Sequence, residues 1–429
     1  MITKLHKLFL QQAIVTTDTR KITAGSIFFA LKGDNFDGNN FAQQALDLGA
    51  SYAVVDDIQL PASDKFILVP NVLKALQDLA LYHRQYLGIP IIGITGSNGK
   101  TTTKELIREV LKQKYKVAST QGNLNNHIGV PLTILTMDKS VELGIVEMGA
   151  SHPGDIKELC DIALPDYCII TNIGAAHLEG FGSFEGVVKT KNELYESVIA
   201  KKGTLFCNSE NDVLRQLLVS KDVDVVYYGG KKTDFVSGHI DASTSFLKLE
   251  VSFGNQVKSI KTNLLGGYNF ENVLAALCIG NYFKVDVDKM VAAIESYAPS
   301  NNRSQLLKTE CNTVWVDCYN ANPSSMKAAL THFSQSDNAD NLVVILGDML
   351  ELGAESVAKH AEVIDLLREL GIKNAYLVGS QFKMAGSFGS QFLKVDELNE
   401  FLKQQKLQQK TILVKGSRGI QLEKTLPLL

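Results

Sequence analysis

The stretch Gly93-Ile94-Thr95-Gly96-Ser97-Asn98-Gly99-Lys100-Thr101-Thr102 follows an apolar run, Ile89 to Ile94, and precedes the helix-period segment Lys104 to Lys112. Strand, glycine loop and helix in that order make a phosphate cradle. Glycines let backbone N–H groups crowd around phosphate oxygens, and the helix N-terminus adds positive potential. Lys100 can reach the β- and γ-phosphates, and the Thr101 hydroxyl suits Mg²⁺. The strict GxxxxGK[ST] spacing is not met, because Ile94 stands where the first glycine belongs and Gly93 comes one residue early. A glycine turn without ligand is the bland alternative; Gly-Lys-Thr-Thr between strand and helix favours a nucleoside triphosphate.

A phosphate loop needs an acidic partner for its metal. Glu147 ends the apolar run Gly144 to Met148, and a carboxylate there points into the crevice where open α/β sheets bind ligands. His177 follows another strand candidate, Tyr167 to Thr171, so it is either a metal ligand or an ordinary satisfied polar residue. Lys189 and Lys191 sit two apart on a helix predicted to begin near Phe184, so they face different ways and one at most enters the cleft; surface exposure is the default for both.

The elements that must hold these residues are legible as runs and periods. Up to residue 85, Ser26 to Leu31 and Tyr52 to Val55 read as strands around a helix near Asn40 to Leu48, a small α/β unit. From 86 to 300, buried-strand runs alternate with helix-period segments, which predicts a parallel sheet. Asp222 to Lys261 alternates instead and predicts an antiparallel edge, followed by a helix from Asn269 to Phe283. After the turn-rich Pro299 to Asn302, strands at Val314 to Asp317, Leu342 to Leu346, Ala375 to Val378 and Thr411 to Val414 alternate with helices. The expected class is therefore α/β with three domains: a small N-terminal α/β domain (1–85), a central P-loop parallel-sheet ATPase domain with an antiparallel edge (86–300), and a C-terminal Rossmann-like doubly wound domain (301–429).

Length and composition agree. At roughly 150 residues per domain, 429 residues fit two to four domains, and 45% hydrophobic with 21% charged residues excludes disorder and fibrous structure. With 43 Lys+Arg against 46 Asp+Glu, no electrostatic excess exists to hold nucleic acid or an acidic membrane, so any anion must be bound locally. The six cysteines form no CxxC pair and read as core residues of a reducing compartment. No stretch reaches the roughly 18 apolar residues of a membrane helix. A soluble, cytoplasmic, monomeric protein without membrane insertion is expected.

The ordered passages Thr17-Asp18-Thr19-Arg20, Gly33 to Gly38, the phosphate loop, Asn123 to Pro131, Val146 to Ala150, Ala176 to Glu179, Gly267 to Asn272, Arg303, Asp317 to Met326, Leu346 to Met349 and Lys415 to Arg418 resemble the Mur ligase family along the whole chain. These are ATP-dependent enzymes joining amino acids or peptides to the cell-wall precursor, similar also to folylpolyglutamate synthetases. The third-domain motifs, and the lack of Asp-Asn-Pro-Arg, resemble the branch that adds D-alanyl-D-alanine to UDP-N-acetylmuramoyl-tripeptide, the last cytoplasmic step of peptidoglycan precursor synthesis.

The resemblance implies ATP and Mg²⁺ as cofactors. It places Gly96, Ser97, Asn98, Gly99, Lys100, Thr101, Thr102, Asn269, Asn272, Arg303 and Asp317 at the nucleotide. Thr101 and Glu147 would hold one Mg²⁺, and Glu147, His177 and a carbamylated lysine a second. That lysine is Lys191, with Lys189 as fallback. Catalysis falls to Lys100, Glu147, His177, Lys191 and Arg303. Substrate contacts are implied at Thr19, Arg20, Asp37, Gly38, Asn126, His127, Tyr319, Asn320 and Asn322. Tyr268 replaces a histidine common in the family, and Asn301-Asn302-Arg303 a Pro-Gly-Arg. Closure about Pro299 to Arg303 is expected to bring Arg303 and Asp317 onto the nucleotide. The rivals are a sister ligase adding an amino acid, a P-loop switch or kinase with no need of His177 or Lys191, and a silent nucleotide-binding scaffold.

Overall fold

The computed structural model describes residues 1–12, 14–174, 178–241, 246–300, 302–336 and 339–429. Its first sheet is parallel, in the order Val15–Thr16, Ile27–Phe29, Tyr52–Val55, Phe66–Leu68. Alternate residues of one strand serve two cores: Ile27 and Phe29 pack with Leu5, Phe9, Leu76 and Leu79, while Phe28 meets Ala42 and Ala45. Both faces of the sheet are therefore covered, which is why its strands read as continuous apolar runs.

The helix Val72–Leu87 is capped by the Asn71 side chain, which accepts from the Lys74 N–H, and stops at left-handed Gly88. Residue 85 lies within it. One apolar cluster runs from Leu5 through Leu76 and Leu79 to Val146, Met148 and Ile156, so the first and central domains share a core. Arg84 adds a polar bolt: it donates to the carbonyls of Ala163 and Leu164 and meets Asp166 at 2.8 Å.

Among the described residues, nine strands form the central sheet, in the order Gln256–Leu265, Phe246–Phe253, Val236–Ile240, Asp224–Gly229, Thr204–Asn208, Tyr167–Ile170, Ile91–Thr95, Leu143–Glu147, Val117–Ser119. The phosphate-loop strand Ile91–Thr95 lies between Tyr167–Ile170 and Leu143–Glu147, so the three carboxyl ends open on one crevice. The antiparallel region is smaller than expected. Asp224–Gly229 pairs parallel to Thr204–Asn208, and Val236–Ile240 continues it; antiparallel pairing is confined to Phe246–Phe253, which runs against both Val236–Ile240 and Gln256–Leu265. The alternation in this region reflects strands near a sheet edge, buried on one face only.

The third sheet runs Gln305–Lys308, Thr313–Asp317, Thr411–Lys415, Leu342–Gly347, Asn374–Val378, Ser390–Phe392, with only its first pair antiparallel. Helices cover both faces, leaving Trp315 in one core and Val314 and Val316 in the other. Among the described residues, no helix is long and apolar enough to cross a membrane.

Candidate active site

The phosphate loop owes its shape to two glycines. Gly96 has φ 147° and Gly99 φ 78°, and a Cβ at either would collide with a neighbour, Thr171 Oγ1 or Asn272 Oδ1. The segment after Tyr167–Ile170 staples the loop: Asn98 N–H donates to Asn172 Oδ1 at 2.9 Å, and Thr171 Oγ1 donates to the Asn98 carbonyl at 2.6 Å. The helix then starts at Lys100, not Lys104. Three consecutive threonines disguised its first turn as loop, since threonine has low helix propensity. The earlier start sets Lys100 and Thr101 in the first turn, where backbone N–H groups face outward.

Lys100 Nζ donates to the carbonyls of Gly96 at 2.6 Å and Ser97 at 3.3 Å. Desolvation lowers its pKa, with Glu147 opposing and the Arg303 charge reinforcing the shift. Glu147 is 1% exposed. Its Oε1 accepts from Thr101 Oγ1 at 3.2 Å and Asn125 Nδ2 at 2.9 Å, whereas Oε2 is buried with no hydrogen-bond partner among the described residues. Such an oxygen set suits a hard cation. Among the described residues, no group of three His, Cys, Asp or Glu side chains gathers to hold a metal ion.

The two candidate lysines separate clearly. On the helix Phe184–Ala200, Lys189 is exposed and Lys191 is buried, its Nζ 5.7 Å from the centre of the Phe181 ring. Desolvation, then the Lys100 charge, hold the Lys191 pKa at about 7. His177 lies outside the described residues.

The third domain closes the same space. A cavity of about 1150 Å³ is bordered by the phosphate loop from Ser97 to Thr102, by Glu147, and by Arg303, Asp317, Tyr319, Asn320 and Asn322. The Arg303 guanidinium lies 3.6 Å from the centre of the Tyr319 ring, a cation–π contact that fixes it facing the cavity. Asp317 Oδ2 pairs with Lys415 Nζ at 2.6 Å. Asn322 accepts from Ser325 N–H to cap the helix Pro323–Phe333, and its amide donates to Asn98 Oδ1 at 2.7 Å. Asn98 Nδ2 in turn donates to Ser324 Oγ at 2.9 Å. Phosphate loop and third domain are thus in direct contact.

Other expected residues are partly occupied by structural bonds. Asn269 and Asn272 border the cavity, but Asn272 Oδ1 accepts from Thr103 Oγ1 at 3.0 Å and its Nδ2 donates to Asn269 Oδ1 at 2.9 Å, bracing the phosphate-loop helix. Asn126 and His127 also border it, with Asn126 Oδ1 accepting from Gly129 N–H at 2.9 Å. Thr19, Arg20, Asp37 and Gly38 do not. Thr19 and Arg20 follow the strand Val15–Thr16 of the first sheet, whereas Asp37 ends the strand Phe36–Asp37 of a separate two-stranded sheet and Gly38 comes next. Arg20 is bidentate to Asp18 at 2.9 and 2.8 Å, Asp37 accepts from Asn39, and a Cβ on Gly38 would overlap the Leu31 backbone.

Family models match three successive parts of the chain: the Mur ligase family catalytic domain over residues 12–84, the Mur ligase middle domain over 94–280 and the Mur ligase glutamate ligase domain over 302–418. The UDP-N-acetylmuramoyl-tripeptide–D-alanyl-D-alanine ligase of Bacillus subtilis is 34% identical over 426 residues, covering 95% of this chain and 91% of the relative. The Escherichia coli enzyme of that name is 34% identical over 421 residues, covering 95% and 92%. The chain belongs to the Mur ligase family. Among solved structures, this Mur ligase resembles MurF from Acinetobacter baumannii (28% identity, TM-score 0.86, covering 96% and 92% of the two chains). It is equally similar in fold to MurF from Thermotoga maritima in complex with ADP (26% identity, TM-score 0.86, covering 98% and 97%).

Sequence reasoning gave no role to Asn125, Ser324, Lys415 or Lys104, all of which touch the candidate site residues of this Mur ligase. One signal was available for Lys415: a lysine ending an apolar strand before Gly416. For Lys104 the signal was its place one helical turn after Lys100.

Proposed function

We propose that this Mur ligase joins D-alanyl-D-alanine to UDP-N-acetylmuramoyl-tripeptide, cleaving ATP to ADP and phosphate, in the last cytoplasmic addition to the peptidoglycan precursor. The observation that carries the reading is the single cavity shared by the phosphate loop, Glu147 and the third-domain residues Arg303, Asp317 and Asn322. The names of the relatives from B. subtilis and E. coli support it, as does the ADP in the T. maritima structure. In this reading the first domain (1–85) holds the UDP-sugar end through Thr19, Arg20 and the Asp37-Gly38 turn. The central domain (86–300) holds ATP, with Asn126 and His127 toward the precursor. The third (301–429) presents the dipeptide through Tyr319, Asn320 and Asn322. A monomer in the cytoplasm goes with this reading.

The chemistry follows from a poor leaving group: a carboxylate cannot lose oxide to an amine. The tripeptide carboxylate attacks the γ-phosphorus of ATP, the bond to ADP breaks, and an acyl phosphate forms. Lys100 and Arg303 neutralise the charge growing on the phosphoryl oxygens. The dipeptide amine then adds to the acyl carbon, loses its proton, and phosphate leaves as the amide forms. Mg²⁺, when bound, supplies further charge neutralisation on the phosphates. Thr101 and Glu147 would hold it, and His177 and Lys191 would complete a second site. Lys191 fits that role because an amine with a pKa of about 7 is substantially neutral at physiological pH. Neutral amine adds to carbon dioxide, forming an N–C bond and releasing a proton, and the carbamate offers the oxygens a hard cation prefers.

The test is phosphate release with each component omitted in turn and the product weighed by mass spectrometry. Release should require ATP, Mg²⁺, the tripeptide precursor and the dipeptide, and the product should gain the dipeptide less one water. Removing the charge with Lys100→Met should cost at least roughly 100-fold in kcat. Release without dipeptide, or product formed only with a free amino acid, contradicts the reading.

A further inference from the structure

One turn beyond Lys100, the same helix carries a second lysine that the chemistry above leaves unused. The Lys104 side chain is 0% exposed, although lysine is almost never fully buried without a partner. Its ammonium donates to the Thr120 carbonyl at 2.6 Å, meets Glu105 Oε1 at 3.2 Å, and lies 3.7 Å from Glu147 Oε2. That oxygen is the one with no hydrogen-bond partner among the described residues. Thr120 grips the same glutamate from another side, its Oγ1 accepting the Glu147 N–H at 3.0 Å.

We infer that Lys104 is a positioning residue: anchored on Thr120, its ammonium holds the buried Oε2 of Glu147 by charge and so turns Oε1 toward Thr101 and the cavity. Core filling alone would be met by methionine or leucine, without the penalty of a buried cation. At 3.7 Å the pair is held by electrostatics, which are strong where water is excluded. The attraction reaches one carboxylate oxygen from below while Thr101 and Asn125 hold the other from the cavity side. A carboxylate fixed at both oxygens presents its cavity-side oxygen to a cation in one orientation, as outer partners do for ligands in metal sites generally.

This inference rests on Glu147 holding Mg²⁺, and the experiment separates the two. Binding of a fluorescent ADP analogue is titrated against Mg²⁺ for the wild type, Lys104→Met, Glu147→Gln and the double variant, with thermal melting to confirm folding. Lys104→Met should raise the Mg²⁺ concentration for half-maximal binding roughly 10- to 100-fold, and should add nothing in the Glu147→Gln background. A shift in Glu147→Gln with wild-type behaviour in Lys104→Met overturns the role of Lys104. Unchanged Mg²⁺ dependence in Glu147→Gln overturns the premise instead. If Lys104→Met alone does not fold, the double variant is compared with Glu147→Gln: identical Mg²⁺ dependence supports the inference, and a further shift overturns it.

Discussion

The first and central domains share one extended apolar core, whereas the central and third domains meet through amides and hydroxyls beside a smaller apolar contact, where Leu265 and Phe246 join the third-domain core. Leu76 and Leu79 of the helix Val72–Leu87 are 0% exposed within the shared core, and Arg84 bolts that helix to the carbonyls of Ala163 and Leu164. Across the cavity the polar contacts include Asn98 with Asn322 and Ser324, and Tyr268 with Ser304 at 3.2 Å. Separating apolar surfaces exposes them to water; separating amides exchanges one set of hydrogen bonds for another at a net cost of only about 1 kcal/mol each. One seam is therefore a weld and the other a weaker, largely polar latch.

The largest effect belongs to the weld. Leu76→Ala should destabilise the protein by about 2–5 kcal/mol, read as a lower urea midpoint, while activity per folded molecule stays near wild type. A loss of activity without a loss of stability would show that the weld positions the site rather than merely joining domains.

Lys191 lies in the helix Phe184–Ala200, whose apolar face belongs to the welded core, and burial shapes its titration. Its pKa falls from 10.5 to about 7 on folding, so between those values the unfolded chain binds more protons and stability rises with pH. In carbon dioxide-free buffer, Lys191→Met should lose that part of the rise between pH 7 and 10.5. Parallel stability curves for variant and wild type would contradict the burial argument.

Effects at the latch should be smaller in stability and larger in shape. Asn322→Ala removes a helix cap, about 1 kcal/mol, together with the bond to Asn98. Calorimetry should place the loss in the third domain. Asn98→Ala keeps the cap and should change stability by less than about 1 kcal/mol, while X-ray scattering shows a wider average separation of the third domain. An unchanged scattering profile in both variants would mean that other contacts hold the domain closed.

The parts of this architecture visible in the sequence were those set by local pattern. Apolar runs such as Ile89 to Ile94 and Thr411 to Val414 marked the parallel strands Ile91–Thr95 and Thr411–Lys415, and glycines with a lysine marked the phosphate loop. Local pattern misled where three threonines hid the first helical turn, and where Asp224–Gly229 and Val236–Ile240, paired parallel to each other, looked antiparallel. Partners distant in sequence were not legible: Lys415 and Asp317 are 98 positions apart, Asn322 and Asn98 224 apart. Helix periodicity alone could not tell Lys191 from Lys189, because the choice depends on which face of their helix meets the core; the family resemblance favoured Lys191.

The acyl phosphate is the claim on which the mechanism turns, and oxygen tracing tests it most directly. With the terminal carboxylate of the UDP-N-acetylmuramoyl-tripeptide labelled with ¹⁸O, each phosphate released on forming the D-alanyl-D-alanine amide should carry one labelled oxygen, because the carboxylate attacks phosphorus and departs with it. Phosphate free of label, with both labelled oxygens left in unreacted carboxylate, would mean that water attacks ATP, and would contradict the account.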